Sequence, residues 1–325
     1  MSVLRSRILV RNFSNTGYRK PFPTRTAPVR SGWDHVYGLS SVLSALQSKK
    51  RSVLDSLYVL ESDEKKTTQK KDATLMDKII QLSKEANIYT VAMDKGELNN
   101  LTDNKTHQGV VLKASARNPI EINALSSVNN NQYEAVPRVN KRGSEEDREN
   151  NSQKENATIK FEQHNRQPFW IALDEVQDPQ NLGSILRTAY FFGVDGVLLC
   201  SKNSAPLSPA VSKVSSGAIE MMDIYSSPNL VKFLKESNEN GWDIIGAAGD
   251  ANPSIGLTQF RQNASEKPVI LVLGNEGTGL RTNVKNSCKS FVSIPNACKD
   301  DFYGSIDSLN VGVAAGVLIS TAISA

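Results

Sequence analysis

The sequence predicts an α/β fold, and three stretches in its second half predict it. In the first, an apolar run at 170–176 is followed by Asn181-Leu182-Gly183-Ser184-Ile185-Leu186-Arg187-Thr188-Ala189 and then by a second apolar run at 194–200. That order reads as strand, loop, helix and strand. In the second, the β-rich run 268–273 stops at Gly274-Asn275-Glu276-Gly277-Thr278-Gly279-Leu280, a glycine-rich loop with one carboxylate. In the third, Phe291-Val292-Ser293-Ile294-Pro295 crosses a polar loop to Ser308-Leu309-Asn310-Val311 and a small-residue run at 312–325.

Loops beyond the carboxyl ends of strands in an open α/β sheet are where ligands bind, which sets Asn181 and Arg187 in position for chemistry. Glycines let a backbone approach a ligand and aim N–H groups at it. The spacing G-x-x-G-x-G, with no Lys-Ser/Thr after it, fits neither the phosphate loop of NTPases nor the dinucleotide fingerprint. Taken one at a time, each stretch also has a structural explanation, because any parallel α/β protein ends strands in Gly, Asn and Ser.

Together and in this order, the three stretches resemble the SpoU or TrmH-type RNA ribose 2'-O-methyltransferases of the SPOUT superfamily. That family shows N-x-G-x-x-x-R-T-A, a strand running into G-N-E-G-x-G-L, and I-P followed by S-L-N-V-x-V-A-A. All three are present here, and Ser212-Lys213-Val214-Ser215-Ser216-Gly217-Ala218-Ile219-Glu220 is similar to the family's middle helix and turn. The resemblance runs from Phe169 to the C-terminus. It implies a C-terminal SPOUT domain with a trefoil knot, against the general rule that chains are unknotted, bent S-adenosyl-L-methionine bound in the knot, and a homodimer with the active site beside its interface. It also implies Arg187, Asn181, Glu276, Ser308 and Asn310 as catalytic residues, and cofactor contacts at Leu273, Gly274, Asn275, Gly277, Ile294 and Leu309, mainly through backbone.

The residues allow an independent view of those roles. Methyl transfer to a ribose hydroxyl is an in-line displacement that requires alignment and an exit for the hydroxyl proton. Arg187 is a poor base, with a pKa above about 12, so an electrostatic role fits it better: holding a phosphate and stabilising the forming alkoxide. The Glu276 carboxylate either orients Asn181 or Arg187, or satisfies backbone N–H groups of its own turn. Ser308 and Asn310 open the last helix as caps, a role compatible with facing the reaction centre. The loop 296–307 is longer than in typical family members and carries Lys299-Asp300-Asp301. No role is assigned there.

With 325 residues, 39% hydrophobic and 22% charged, the chain is long enough for two domains and a full core. Cys200, Cys288 and Cys298 are odd in number and show no C-x-x-C, which supports neither a disulfide framework nor a zinc site. His35, His107 and His164 are too scattered to suggest a metal. Gly312 and Gly316 form a G-x-x-x-G, but Ser308, Asn310, Ser320, Thr321 and Ser324 speak against a membrane span, which needs about 20 mostly apolar residues. Close packing within a subunit or across a dimer explains the glycines better.

Residues 1–30 carry Arg5, Arg7, Arg11, Arg19, Lys20, Arg25 and Arg30 with no acidic residue, the composition of a mitochondrial transit peptide. A basic RNA-binding arm is the competing explanation. Subtracting those seven charges from the net +4 leaves −3. RNA binding then rests on local clusters such as Lys49-Lys50-Arg51 and Lys65-Lys66 with Lys70-Lys71, which also suit solvated faces.

The region 31–115 alternates helix and strand patterns: helical at 38–47 and 75–86, strand-like at 56–60, 88–91 and 109–112. It looks like the small L30e-like α/β substrate-binding domain of ribosomal RNA members, through Val36-Tyr37-Gly38 and His107-Gln108-Gly109-Val110-Val111. His107-Gln108 reads equally as an RNA contact or as a capped turn. The region 116–167, with Asn129-Asn130-Asn131, a mixed-charge tract at 142–149 and few apolar residues, reads as a disordered linker or insertion, and 168–325 as the SPOUT methyltransferase domain.

Within the family, a leader plus two domains is similar to members that methylate a guanosine in the peptidyl-transferase region of mitochondrial large-subunit rRNA, in the matrix. The alternatives are a tRNA substrate, a non-catalytic ribosome-assembly factor retaining the fold, and a nicotinamide-dependent dehydrogenase, the last weakened by its glycine spacing.

Overall fold

A computed structural model describes residues 32–61, 70–137, 157–160, 166–249, 251–296 and 308–323. The expected leader at 1–30, Lys65-Lys66, His164 and residues 297–307 lie outside the described residues. The chain divides into two units, Met1–Asn118 and Pro119–Ala325.

The N-terminal unit runs β1 (Trp33–Tyr37), α1 (Leu39–Ser48), β2 (Leu54–Leu60), α2 (Lys70–Glu85), β3 (Tyr89–Met93), α3 (Lys95–Leu101) and β4 (Val110–Ser115). Its sheet has the order β1-β4-β2-β3, with β4 antiparallel to both neighbours and β2 parallel to β3. Alternation along the strands sends Val36, Leu57, Leu112 and Ala114 to one face, where they bury against Val42, Ala45 and Leu46 of α1 and Ile79 of α2. On the other face Leu98 of α3 joins Tyr37 and Val111, with Tyr58 and Met93 packed against them. Strand β1 and helix α3 were not foreseen. Trp33-Asp34-His35 interrupts any apolar pattern, and α3 is short, held by a capping box between Asp94 and Glu97.

Arg51 departs from its expected role in a surface basic cluster. Its side chain is buried and pairs with buried Asp34 at 3.0 Å, while also donating to the Ser115 carbonyl at 2.5 Å. A buried, paired guanidinium fastens β1 and β4 and offers no charge to a phosphate.

The C-terminal unit contains β5 (Ile120–Leu125), β6 (Gln132–Pro137), β7 (Ala157–Lys160), β8 (Phe169–Leu173), α4 (Pro179–Phe192), β9 (Gly196–Cys200), α5 (Pro209–Val214), α6 (Ala218–Met221) and β10 (Ile224–Ser227). It continues with α7 (Leu230–Glu239), β11 (Asp243–Ala247), β12 (Ser254–Ile255), α8 (Leu257–Glu266), β13 (Val269–Leu273), α9 (Thr282–Lys285), β14 (Ser290–Val292) and α10 (Val311–Ile323). The sheet order is β12-β14-β11-β13-β8-β9-β10-β5-β6-β7. Pairing is parallel from β12 to β5 and antiparallel from β5 to β7. Strands β8, β9 and β13 are buried at every residue, which is why they read as unbroken apolar runs. Phe169, Ile171 and Leu173 pack with Ile185, Phe260 and Ile319 on one face. Trp170 and Ala172 pack with Phe233 and Trp242 on the other.

Within 116–167, residues 116–137 and 157–160 differ from the expected linker, because β5, β6 and β7 extend this sheet; the mixed-charge tract at 142–149 lies outside the described residues. Tyr133 and Ala135 of β6 are buried at alternate positions, and in β5 Ile122, Ala124 and Leu125 are buried across a register irregularity. One apolar face is enough for an edge ribbon even when overall content is low. Tyr133 stacks edge-on against Trp170 and Trp242 and accepts the Trp170 indole N–H at 2.7 Å. The Trp242 indole donates to the Ser126 carbonyl at 2.9 Å, and Asn240 Nδ2 to that of Leu125 at 2.7 Å.

Replacing Tyr133 by Phe therefore keeps the ring but leaves the buried Trp170 N–H without its acceptor. The expected cost is about 1–3 kcal/mol, seen as a lower urea midpoint at unchanged slope. An unchanged midpoint would show that β6 is not part of this core.

Candidate active site

Strands β8 and β13 lie side by side in register, Leu173 opposite Leu273. From β8 the chain moves through α4 to β9 on one flank, whereas from β13 it proceeds to β14 on the other. Neighbouring parallel strands whose connections leave in opposite directions open a crevice at their carboxyl ends. The first two predicted motifs emerge there.

Local chemistry sets each element. Helix α4 starts at Asp178, whose carboxylate accepts from the Gln180 N–H at 2.8 Å, with Pro179 in the first turn; it stops at Gly193 in the left-handed region. After β13 the chain doubles back: Asn275 and Gly279 exchange backbone hydrogen bonds at 3.0 Å each way. A Cβ on Gly274 would lie 2.3 Å from the Gly279 carbonyl carbon, and Gly279 has φ +66. These two glycines, rather than all three of the loop, set its shape.

The turn's own N–H groups are served by Asn275. Its Oδ1 accepts from the Gly277 N–H at 2.9 Å and the Thr278 N–H at 3.2 Å, and its Nδ2 donates to the Glu175 carbonyl at 2.9 Å. The Asn275 side chain thus shapes the loop. Glu276 is left to accept from Asn181 Nδ2 at 2.9 Å. Asn181 Oδ1 accepts in turn from Asn310 Nδ2 at 2.9 Å. Asn310 uses its remaining oxygen to cap α10, accepting from the Gly312 N–H at 2.9 Å and the Val313 N–H at 3.3 Å. The chain Glu276–Asn181–Asn310 joins residues up to 129 positions apart and links all three motifs. Gly312 makes the approach possible: a Cβ there would stand 3.2 Å from Ser184 Oγ of α4.

Arg187 is not part of this chain of bonds. It is exposed on α4, about 9 Å along the axis from Asn181. Ser308 and Leu309 lie exposed just before α10, Leu273 and Gly274 are buried at the end of β13, Gly277 is exposed and Ile294 half-buried. His107, in the other unit, fills its own turn: Nδ1 accepts from the Gly109 N–H at 3.1 Å, and Nε2 lies 3.2 Å from Asn99 Oδ1. With Nδ1 an acceptor, Nε2 carries the hydrogen and Asn99 receives it.

The sequence reading missed a clamp beneath the motifs. Buried Asp174 accepts from the Arg281 backbone N–H at 3.1 Å and from its Nε at 2.8 Å. Arg281 Nη1 reaches Glu175 Oε1 at 2.8 Å, and Nη2 lies 3.6 Å from Cys200 Sγ. Hydrogen bonding to Asp174 raises the already high pKa of Arg281. Glu175 sits at φ +61, a left-handed backbone rare outside glycine. The signal available was an acid ending one apolar run and an arginine following the glycine loop of another. Cys288 has a different environment: burial pushes its thiol up to about 12, and it donates to the Val284 carbonyl.

Residues 168–320 match the SpoU rRNA Methylase family, and residues 35–120 match RNA 2'-O ribose methyltransferase substrate binding. The chain is 35% identical to "rRNA methyltransferase 1, mitochondrial" of Schizosaccharomyces pombe over 295 residues, 90% of both chains. It is also 35% identical to the protein of that name in Dictyostelium discoideum over 266 residues, 80% of this chain but 48% of that one, so it spans about half of that relative. Over 156 residues, 48% of this chain and 59% of the relative, it is 37% identical to 23S rRNA (guanosine-2'-O-)-methyltransferase RlmB of Shewanella oneidensis. The fold is shared with a crystal structure of an rRNA methyltransferase from Sinorhizobium meliloti, with TM-score 0.59, 18% identity and coverage of 89% and 86%.

Arg281→Ala would strand the Asp174 carboxylate inside the protein at an expected cost of about 2–3 kcal/mol. Arg281→Lys would recover less than half, since an ammonium does not reproduce the fork that meets Asp174 and Glu175 together. Chemical denaturation of the three proteins measures both; equal stability of all three would show that the clamp does not stabilise the fold.

Proposed function

The chain belongs to the SpoU rRNA methylase family, and from that premise we propose that it transfers a methyl group from S-adenosyl-L-methionine to a ribose 2'-hydroxyl of mitochondrial large-subunit rRNA, at a guanosine of the peptidyl-transferase region. The observation carrying this reading is the Glu276–Asn181–Asn310 chain at the sheet's switch point. The names of the relatives support the rRNA substrate, the mitochondrial location and, through the bacterial relative, the guanosine 2'-oxygen. A matrix location and a transit peptide at 1–30 belong to the same proposal.

The residues at the crevice suit the methyl donor. Exposed Leu309 and half-buried Ile294 offer apolar surface, and Gly277 has open space beyond its Cα, with only Asn275 Oδ1 at 3.6 Å from an added Cβ. The backbones of Leu273, Gly274, Asn275, Gly277, Ile294 and Leu309 would hold the cofactor, and Glu276 would supply negative charge to its sulfonium. When bound, this cofactor supplies an electrophilic methyl group. The trefoil knot is part of the proposal; the return of Asn310 to Asn181 after β14, at the far side of β11, is consistent with it.

Asn181 is fixed at both ends of its amide and can orient the incoming ribose without reorganising. Arg187 has no hydrogen bond to another described residue, so its guanidinium is available for the substrate phosphate and the developing alkoxide. The hydroxyl proton leaves to phosphate or water, because a guanidinium does not accept it. Ser308 is proposed to contact the ribose beside Asn310.

A homodimer is supported by apolar surface on two adjacent helices. Phe191 is 81% exposed and Tyr190 48% on α4, and Val313 and Val317 on α10 are 54% and 37% exposed. Val313, Gly316 and Val317 share one side of α10, and an added Cβ on Gly316 meets nothing within 4 Å. Such a patch marks an interaction site, and a second copy of the same ridge suits a two-fold contact.

The test is methyl transfer from labelled S-adenosyl-L-methionine to mitochondrial ribosomal and transfer RNA. We expect a 2'-O-methyl nucleotide in large-subunit rRNA, a fall in kcat of about 100- to 1000-fold for Arg187→Ala and no recovery with Arg187→Lys. Label only in transfer RNA would move the substrate; none on either, from folded protein that binds rRNA, would favour an assembly factor. For the dimer, sedimentation of Phe191→Asp should show a monomer where the parent sediments as two copies, and a parent that is monomeric at all concentrations would refute it.

A further inference from the structure

Helix α3 covers only one end of its face of the N-terminal sheet. Beyond it the register aligns His35 of β1, Lys113 of β4, Ser56 of β2 and Tyr89 of β3 in a row across all four strands. Trp33 and Tyr58 lie on the same face in the rows to either side. Trp33 and Tyr89 are each 49% exposed. The Lys113 ammonium stands 4.7 Å over the Trp33 ring, and the rings of His35 and Tyr58 lie 6.4 Å apart. Aromatic rings grouped and left half in water on one sheet face mark an interaction surface.

We propose that this open sheet end is a stacking platform for unpaired bases of the RNA substrate. Three strand spacings give it a width of about 14 Å, and sheets with exposed aromatics stack two or three bases in this way. Single-stranded nucleic acid is held by such rings together with nearby cations. Lys113 is the cation here. Its pair with Asp55, at 3.1 Å with both side chains partly exposed, is of the weak kind that a phosphate can displace. His35 belongs to the stacking set rather than to the charge, because burial and then Lys113 lower its pKa. The platform supplies what the buried Arg51 does not. It rests on the reading that the substrate is RNA, and adds to it a surface, a mode of contact and a preference for unpaired strands.

The three tryptophans make this directly measurable, since Trp170 and Trp242 are buried and Trp33 alone is exposed. The full chain is titrated with an unstructured oligoribonucleotide of about a dozen nucleotides, long enough for one such site, and with its duplex. The single strand should quench the exposed tryptophan emission, and Trp33→Ala should abolish that quench. The Trp33→Ala/Tyr89→Ala pair should weaken binding roughly tenfold with the salt slope unchanged, whereas Lys113→Ala should reduce the slope by about one. Trp33→Phe should keep near-parental affinity, which separates stacking from misfolding. Absence of quench with parental affinity in the double variant would overturn the platform, as would duplex binding that is equally tight through the same residues. Quench without methyl transfer to any RNA would instead overturn the enzymatic reading and leave the platform standing.

Discussion

A carboxylate with almost no access to water governs how the C-terminal unit presents its loops. Asp174 directly follows β8 and is buried, where an unpaired charge would be costly. Arg281 meets it with backbone N–H and Nε together, while its other arm takes Glu175. Because Arg281 directly follows the glycine loop and Asp174 directly follows β8, this interaction fixes the separation of the two mouths of the crevice. Breaking it would do more than remove one ion pair. The loop that carries Glu276 would lose its anchor on one side, and the segment leading into α4 its anchor on the other.

That anchoring explains a division of labour between adjacent residues. A tight glycine loop leaves several N–H groups pointing inward, and the nearest carboxylate is the obvious acceptor for them. Here Asn275 takes that duty, so Glu276 projects away from its own turn toward Asn181. Two roles that compete for one side chain in the sequence are carried by two neighbours in the fold. Asn310 resolves its own competition differently, capping α10 with Oδ1 and bonding Asn181 with Nδ2.

Much of this was legible in the chain. The apolar runs at β8, β9 and β13 had to be central strands because they offered no polar face, and the three motifs had to sit at strand ends. The convergence of Asn181, Glu276 and Asn310 followed from the family resemblance and took its physical form from side-chain bonds across more than ninety residues. The clamp was less visible, since Asp174 and Arg281 are 107 positions apart and nothing local distinguishes a buried acid from an exposed one. Strands β5 and β6 escaped notice because a single apolar face was diluted by polar neighbours. Arg51 misled for the opposite reason: adjacency to Lys49 and Lys50 suggested a surface cluster, whereas Asp34 draws it into the core.

The two halves of the proposed reaction machinery differ in how far they are ordered before substrate arrives. Asn181 is held at both ends, so the acceptor side of the site requires little rearrangement. Arg187 is exposed on α4 with no bond to another described residue, and restraining such a side chain costs rotamer entropy. If its target is the substrate phosphate, that ordering occurs only when RNA is in place. Contacts made elsewhere on the RNA then offset the cost, so that interactions remote from the ribose appear in the rate as well as in affinity. A platform for unpaired bases is well suited to this, because stacking contributes affinity without specifying sequence. Recognition of the particular ribose can then rest on the rigid triad and on whether Arg187 finds its phosphate.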